Sequence, residues 1–475
     1  MHLYSLEHHE TVIIFHMNTN NNSRRSFIRN TALTTAGTAL AAKSNILFAQ
    51  NKPSGKIVRV GMIGVGLRGQ NHLKLLLNRA DTEVVALCDV DPRMMDMSKS
   101  MVTKSGKKMP QIILGDNYSY KKLLAIKDLD AIVVATPWEW HCPIILDAID
   151  AGIEYIGTEV ILGITLEDHW NIVKAAEKSG AHVSMLENVC YRRDVMAALN
   201  MVRQGLFGEI IHLQGGYQHD LRGVKFNDGV TAYNSGVEFG PKAFSEARWR
   251  TNHSVHRNGD LYPTHGIGPV AMMIDINRGN RLLSLSSFAT KSRGLHNYIV
   301  KKGGETTPNA KVRFALGDIV TTHLKCANGE TILLQHDTNS PRPYSLGFRV
   351  QGTEGLWMDV NQSVYIEGKS KNYDQWDDQK DWFEKYDHPL WKKYSNDAQG
   401  AGHGGMDFFV VNGFIEAAKR GVATPLDVYD AAAWSAITPL SEKSIELGNQ
   451  TVEFPDFTSG KWMSRTNDFA LDDSF

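Results

Sequence analysis

Cysteine is scarce in this 475-residue chain: there are four, Cys88, Cys142, Cys190 and Cys326. None forms a C-x-x-C pair, which argues against structural zinc. Three lie in apolar, strand-like or motif contexts that suit buried free thiols better than a disulfide framework. A surplus of one charge is also lacking. Lys and Arg number 51 against 52 Asp and Glu, a formal net charge of -1, so nothing basic points to nucleic acid. No charge-free apolar run reaches the roughly 18 residues of a membrane span. Apolar residues are nonetheless plentiful, 42% of the chain. That supports a large core and, at this length, two domains rather than one.

Residues 17–49 carry only four charges, Arg24, Arg25, Arg29 and Lys43. A basic stretch, a mildly apolar one and Ala49 near a cleavage point follow in the order of a signal peptide. "SRRSFIRN" resembles the twin-arginine pattern S-R-R-x-F-L-K, read by the pathway that exports folded proteins. The alternative, a disordered basic tail, leaves the order of the parts unexplained. Residues 1–16 fit no part of a signal, and Met17 is an alternative start. Residues 1–49 are therefore expected to be an extension plus leader, with a periplasmic or secreted destination.

From residue 56 the pattern turns to alternating strands and helices. "KIVRVGMIGVGLRGQNHLKLLL" is a short β-rich run, then Gly64, Gly66 and Gly69 as G-x-G-x-x-G, then a helix. The first glycine permits a tight turn, the second lets backbone approach a pyrophosphate, and the third lets helix and strand pack closely. Free N–H groups of the helix then face the phosphates. "EVVALCD" ends in Asp89, 20 residues after Gly69, where a carboxylate grips the adenosine ribose and disfavours a 2′-phosphate. The expected cofactor is NAD. Later strands and helices extend the pattern to residue 190, predicting a doubly wound parallel sheet. Ligands of such sheets sit beyond the carboxyl ends of the strands. The candidate cofactor contacts are thus Gly64, Gly66, Leu67, Arg68 and Gly69, then Asp89. Further strand ends add Trp138, Glu139, Trp140, His141, Glu159, Val160 and Asn188. The two tryptophans suit packing near the nicotinamide half; the alternative is that they cap the sheet as core aromatics. An exported enzyme needing NAD must bind it before export and regenerate it in each turnover.

Residues 191–462 read differently. "YRRDVMAALNMVRQGLFG" is helical, and "EIIHLQGGYQHDL", "RLLSLSSFAT", "DIVTTHLKCANGETILLQHDT" and "LGFRVQGTEGLWMDV" are strands joined by turns such as Asn328-Gly329. They predict an α+β domain with a large, mostly antiparallel sheet. "GHGGMDFFVVNGFIEAAKRG" and "VYDAAAWSAITPLSEKSIELG" are expected helices. The tryptophan-rich stretch 371–394 is expected to be a loop with a short helix. No group of histidines and carboxylates has a trustworthy metal spacing. With 18 histidines, chance pairs are common. His219 and His403 are held below the candidate list, although the glycines of "GAGHGGMD" suggest tight backbone approach and place His403 close to the cleft.

The motifs "GLRGQ", "PWEWH", "ENVCYRRDVM", "GGYQHDLR", "WRTNH", "LYPTHGIGP", "DINRGNRLL", "RPYSLGF", "GAGHGGMD" and "LSEKSI" resemble, in order, those of glycoside hydrolase family 109. That family comprises NAD-dependent α-N-acetylgalactosaminidases within the Gfo/Idh/MocA oxidoreductase fold. The resemblance implies an α-N-acetylgalactosaminide substrate and leaves the oligomeric state open, a homo-oligomer included. Dehydrogenases of the wider superfamily carry E-K-P, with a catalytic lysine, where this chain reads Glu159-Val160-Ile161. Family 109 has E-V-S-G-A there, and Ile161 and Leu162 depart from it. The implied mechanism oxidises sugar carbon 3, acidifying the carbon 2 proton. A base then removes that proton, the carbon 1 group is eliminated, water adds and the hydride returns, with retention. His265 of "YPTH" is the expected base, before an apolar helical run whose N-terminus disfavours the imidazolium. From local sequence alone a helix-capping histidine is an equal reading. Tyr262 and Tyr217 are expected to assist. Tyr217, Arg250, Tyr262, Pro263, Thr264, His265 and Tyr344 are the implied substrate contacts. Competing functions are a net sugar oxidoreductase and a non-catalytic sugar-binding module.

Overall fold

β1 (Val58–Ile63) is buried along nearly its whole length, as a strand covered on both faces must be. A computed structural model of the chain describes residues 55–475; the expected leader lies outside the described residues. Around β1 stand β2 (Thr82–Asp89), β3 (Gln111–Leu114), β4 (Ala131–Val134), β5 (Tyr155–Thr158) and β6 (His182–Met185) in the order β3-β2-β1-β4-β5-β6. Its pairs are parallel. The order reverses beside β1, between β1 and β4, and a crevice opens there at the strand ends. Local signals set the helices. Thr165 and Asp168 form a reciprocal capping box at Leu166–Ser179, and Gly180 ends that helix in the left-handed conformation.

The second sheet has nine strands in the order β14-β13-β12-β11-β7-β10-β9-β8-β15. β7 (Ile210–Gln218), β8 (Leu282–Ala289), β9 (Ile319–Cys326) and β10 (Thr331–Asp337) form its centre. β11 (Arg349–Gly352), β12 (Gly355–Met358) and β13 (Ser363–Ile366) extend it to the short edge strand β14 (Asp377–Asp378), and β15 (Val452–Glu453) is the other edge. Its pairs are antiparallel except β7 with β10, which run parallel. The tryptophan-rich stretch holds β14 and two short helices, Gln379–Lys385 and Pro389–Tyr394.

Helix Thr264–Met273 packs on β7, on β10 and on the turn Asn188–Tyr191 that leaves the first sheet. Glycines make this approach fit: a Cβ on Gly215 would lie 2.5 Å from Gly266 O, and one on Gly266 2.5 Å from Gly216 N. Two late helices return to the first domain. Met406–Arg420 packs on β1 and on helix Leu67–Asn78, and Val428–Glu446 packs on helix Leu166–Ser179 and β6. All four cysteines are buried free thiols. No helix among the described residues is long and apolar enough to cross a membrane.

Candidate active site

A cavity of about 630 Å³ opens at the strand ends between the two sheets. One half is built by the glycine turn. Gly64 has φ 86°, and a Cβ there would meet Ala135 O at 2.5 Å. A Cβ on Gly69 would meet Gly64 O at 2.2 Å, whereas one on Gly66 would point into open space. Gly64 and Gly69 thus close the turn, and Gly66 leaves a cradle. Gly66 is also the N-cap of Leu67–Asn78 with no side-chain cap, so the first-turn N–H groups remain for a ligand. Asp89 is held by Val65 N (2.6 Å) and Asp91 N (2.8 Å). Burial nevertheless lifts its carboxyl above the usual range. These residues fit a dinucleotide: an open cradle at a helix N-terminus, with a carboxylate at the end of the next strand.

The floor is a charge network linking three distant segments. Arg68 Nε donates to Glu159 Oε1 (2.6 Å) and its Nη1 to Asp407 Oδ2 (2.9 Å). His72 Nε2 donates to the same Glu159 oxygen (2.6 Å). Asn188 Nδ2 donates to Asp407 Oδ1 (2.7 Å), and His403 Nδ1 lies 2.7 Å from Asp407 Oδ2. Burial alone would raise both carboxyls, but Arg68 together with His72 or His403 holds them well below the usual range. Two ionised carboxylates are therefore fixed beneath the cavity.

The other half gathers around His265. The helix N-cap is Pro263, with no side-chain cap bond, so His265 is not a capping residue. Its Nδ1 lies 2.7 and 2.8 Å from the two oxygens of Glu187. Glu187 is fully buried at the end of β6. A carboxylate only accepts, so Nδ1 carries a proton, and in the neutral imidazole Nε2 is then the nitrogen with the lone pair. Tyr217 and Tyr262 stand edge-on to the imidazole, with ring centroids at 5.2 and 4.9 Å. Burial raises the Tyr217 phenol to about 12 and Tyr262 well above the usual tyrosine range. The Tyr217 hydroxyl lies 3.2 Å from His219 Nδ1. Burial and Arg250 lower His219 to about 4, leaving it neutral near pH 7. Arg250 donates to Glu246 Oε2 (2.6 Å), and its guanidinium sits 4.9 Å from the Tyr262 ring centre.

The structure brings most of the sequence candidates to this one cavity. Gly64, Gly66, Leu67, Arg68, Asp89, Trp138, Glu139, Trp140, Glu159, Val160 and Asn188 line it from the first domain, and Tyr217, Arg250, Tyr262, His265 and Tyr344 from the second. Gly69 lies behind the turn. His141 is buried beneath the wall, its ring nitrogens 2.5 Å from Ile161 O and 2.9 Å from Thr136 O. Thr264 is buried, and neither it nor Pro263 lines the cavity. Trp138 is nearly fully buried, lines the cavity and packs with Ile161, Leu261, Leu316 and Val320. Ile161 and Leu162, the departure from E-V-S-G-A, are fully buried core residues. Glu187, the first residue of "ENVCYRRDVM", lies at a strand end but was given no role from sequence, and His403, held below the candidates, lines the cavity. No sequence spacing joins Glu187 to His265.

Comparison with known proteins agrees with this geometry. Residues 58–187 match the family model for the oxidoreductase family, NAD-binding Rossmann fold, and residues 191–464 that for the glycosyl hydrolase 109 C-terminal domain. The chain belongs to glycosyl hydrolase family 109. It is 56% identical over 457 residues to a glycosyl hydrolase family 109 protein of Stenotrophomonas maltophilia, covering 95% of this chain and 99% of that one. It is 50% identical over 467 residues to an alpha-N-acetylgalactosaminidase of Tannerella forsythia, covering 95% and 100%. Among solved structures, levoglucosan dehydrogenase in complex with NADH and L-sorbose shares the fold, with TM-score 0.62 at 18% identity over 84% of this chain and all of that one. The family 109 chain is accordingly a glycoside hydrolase whose first domain is an NAD-binding Rossmann domain.

Proposed function

We propose that this family 109 chain hydrolyses terminal α-N-acetylgalactosaminides, with retention, by oxidation at carbon 3, elimination across carbons 2 and 1, addition of water and reduction. The observation that carries the reading is the His265–Glu187 pair facing the dinucleotide cradle across one cavity. Gly64, Gly66, the first turn of Leu67–Asn78 and Asp89 would hold NAD, which supplies hydride removal and return. His265 Nε2 accepts the carbon 2 proton, and Glu187 fixes the tautomer and stabilises the imidazolium that forms. Tyr217 and Tyr262 keep their phenolic protons at rest; the carbon 3 hydroxyl proton leaves through the Tyr217 hydroxyl to neutral His219, 3.2 Å away, as the hydride departs, and returns with it. Arg250 presents a guanidinium for a hydroxyl or the acetamide oxygen. Elimination also needs a proton for the leaving oxygen. A second imidazole–carboxylate pair, His403–Asp407, stands in the same cavity for that role. No lysine lines the cavity among the described residues, which counts against a net sugar dehydrogenase built on the E-K-P lysine. The relative named alpha-N-acetylgalactosaminidase supports the choice of sugar.

The test is to incubate purified protein, with no added cofactor, with a chromogenic α-N-acetylgalactosaminide. Aglycone release is expected. No release, together with accumulation of reduced cofactor when NAD and free sugar are supplied, would establish the oxidoreductase instead. We further propose export of the folded holoprotein through the twin-arginine pattern at Arg24 and Arg25. Residues 1–54 fused to a reporter should carry it out of the cytoplasm, and Arg24→Lys/Arg25→Lys should retain it.

A further inference from the structure

We propose that residues 227–249 form a clasp over the cofactor cleft, and that Arg248 and Arg93 hold it closed and so slow release of the dinucleotide. The inference rests on the NAD-binding fold and goes beyond the glycosidase reading.

The segment is a closed loop, tied by the Asn227 side chain and by a backbone bridge between Asn227 and Glu238. Asn227 is fully buried; its Nδ2 donates to Phe244 O (2.7 Å), and Phe244 N donates to its Oδ1 (3.0 Å). Val237 and Phe239 of the loop rest on a satellite core of Phe226, Leu295, Ile299 and Phe314. The loop is therefore rooted in the second domain. Trp249 at its end stays packed edge-on against Trp138 of the first domain, with ring centroids at 5.1 Å, and its remaining contacts across the cleft fall on Asp91 and Arg93 at the start of helix Pro92–Ser105, just after Asp89. Arg248 Nη1 pairs with Asp91 Oδ2 (3.3 Å). The Arg93 guanidinium lies 4.1 Å from the Phe244 ring centre, and its Nη1 donates to Gly229 O (3.4 Å). Ser245, Glu246 and Arg248 line the same cavity as Asp89. A ligand whose ribose sits on Asp89 thus has this loop across its way out.

The catch is modest by design of its parts. The Arg93 and Arg248 side chains are 49% and 44% accessible, so each contact is worth at most roughly fivefold in the opening equilibrium. At a typical value of roughly threefold each, two such contacts multiply to about tenfold, and salt weakens the ionic one because the Debye length shrinks to a few ångström near 1 M.

The experiment uses full-length holoprotein loaded with radiolabelled NAD, chased with excess unlabelled NAD and filtered at intervals to give a release rate. Arg248→Ala should release about 3-fold faster, and Arg93→Ala/Arg248→Ala about 10-fold faster. Arg248→Lys should keep the wild-type rate, because the ammonium still pairs with Asp91. Raising salt from about 0.05 to 0.5 M should speed release from wild type but not from the double variant. Arg248→Glu, which repels Asp91, should release faster than Arg248→Ala and stands as the independent check should the double variant fail to fold. Wild-type release rates in Arg248→Ala and Arg248→Glu would overturn the clasp. A wild-type protein that holds no label would overturn both the cofactor assignment and the clasp, and neither result depends on which sugar is cleaved.

Discussion

Glu187 is fully buried, and both its oxygens lie within hydrogen-bond distance of one imidazole nitrogen of His265. That placement gives the histidine a defined tautomer, whereas a helix N-terminus alone would only have kept it neutral. His265→Ala should lose on the order of 100-fold or more in turnover while keeping bound NAD, and exchange of the carbon 2 hydrogen with deuterated water should vanish in parallel. Wild-type exchange in that variant would move the base to another residue. Glu187→Gln keeps an acceptor for Nδ1–H but removes the charge, and kcat should fall roughly 10²- to 10⁴-fold. Asp260, two residues before Tyr262, is a different case. It is buried with one donor, Tyr262 N at 3.1 Å, and burial pushes it up to about 7. The folded protein holds a proton that the unfolded chain, titrating near ~3.9, releases. This group's contribution to stability therefore falls as pH rises from about 4 to 7 and is flat above. Asp260→Asn should gain stability over wild type by roughly 3 kcal/mol more at pH 8 than at pH 5. Denaturant midpoints at the two pH values measure it, and an equal gain at both would refute it.

The glycine turn was legible in the sequence because all its parts are neighbours: strand, three glycines, helix and Asp89 lie within residues 58–89. The element makes its own prediction. Gly66→Ala places a methyl in open space, so stability of the cofactor-free protein should change by less than about 1 kcal/mol while co-purified NAD falls sharply. Gly69→Ala drives a methyl to 2.2 Å from Gly64 O and should lower the Tm of the cofactor-free protein itself. Absorbance of the denatured extract and a thermal scan separate the two. Elements assembled from distant residues were harder to read. The parallel pairing of β7 with β10 joins strands separated by β8 and β9, and no local pattern encodes it. β3 and the helix Pro92–Ser105 passed unread because their exposed residues blur the periodicity. The glycines around His403 hinted at the cleft, but its partner Asp407, held by Arg68 and Asn188, came only with the fold.

Across the whole molecule, the two late helices decide how the cofactor and the fold depend on each other. Arg68 is bridged to Glu159 of the first domain and to Asp407 of helix Met406–Arg420, so the floor of the cleft is shared by both ends of the chain. NAD should co-purify at roughly one molecule per chain. Stripping it should lower the Tm, and adding it back should restore the Tm in proportion to the logarithm of concentration. A Tm indifferent to NAD would contradict this linkage. The division into residues 56–190 and 191–462 describes the order of the chain better than its packing, since Phe414 sits against Gly157 of β5 and Lys56 donates to Ala418 O (3.3 Å). Synthesis gives that packing a further meaning. A ribosome completes all six parallel strands long before the helix that roofs them emerges, so the nascent nucleotide-binding half waits with its apolar surface uncovered. A chain cut after β13 would contain the entire glycine fingerprint and still lack Asp407 and the helix that packs on β1; a stretch translated after the second sheet completes the first domain.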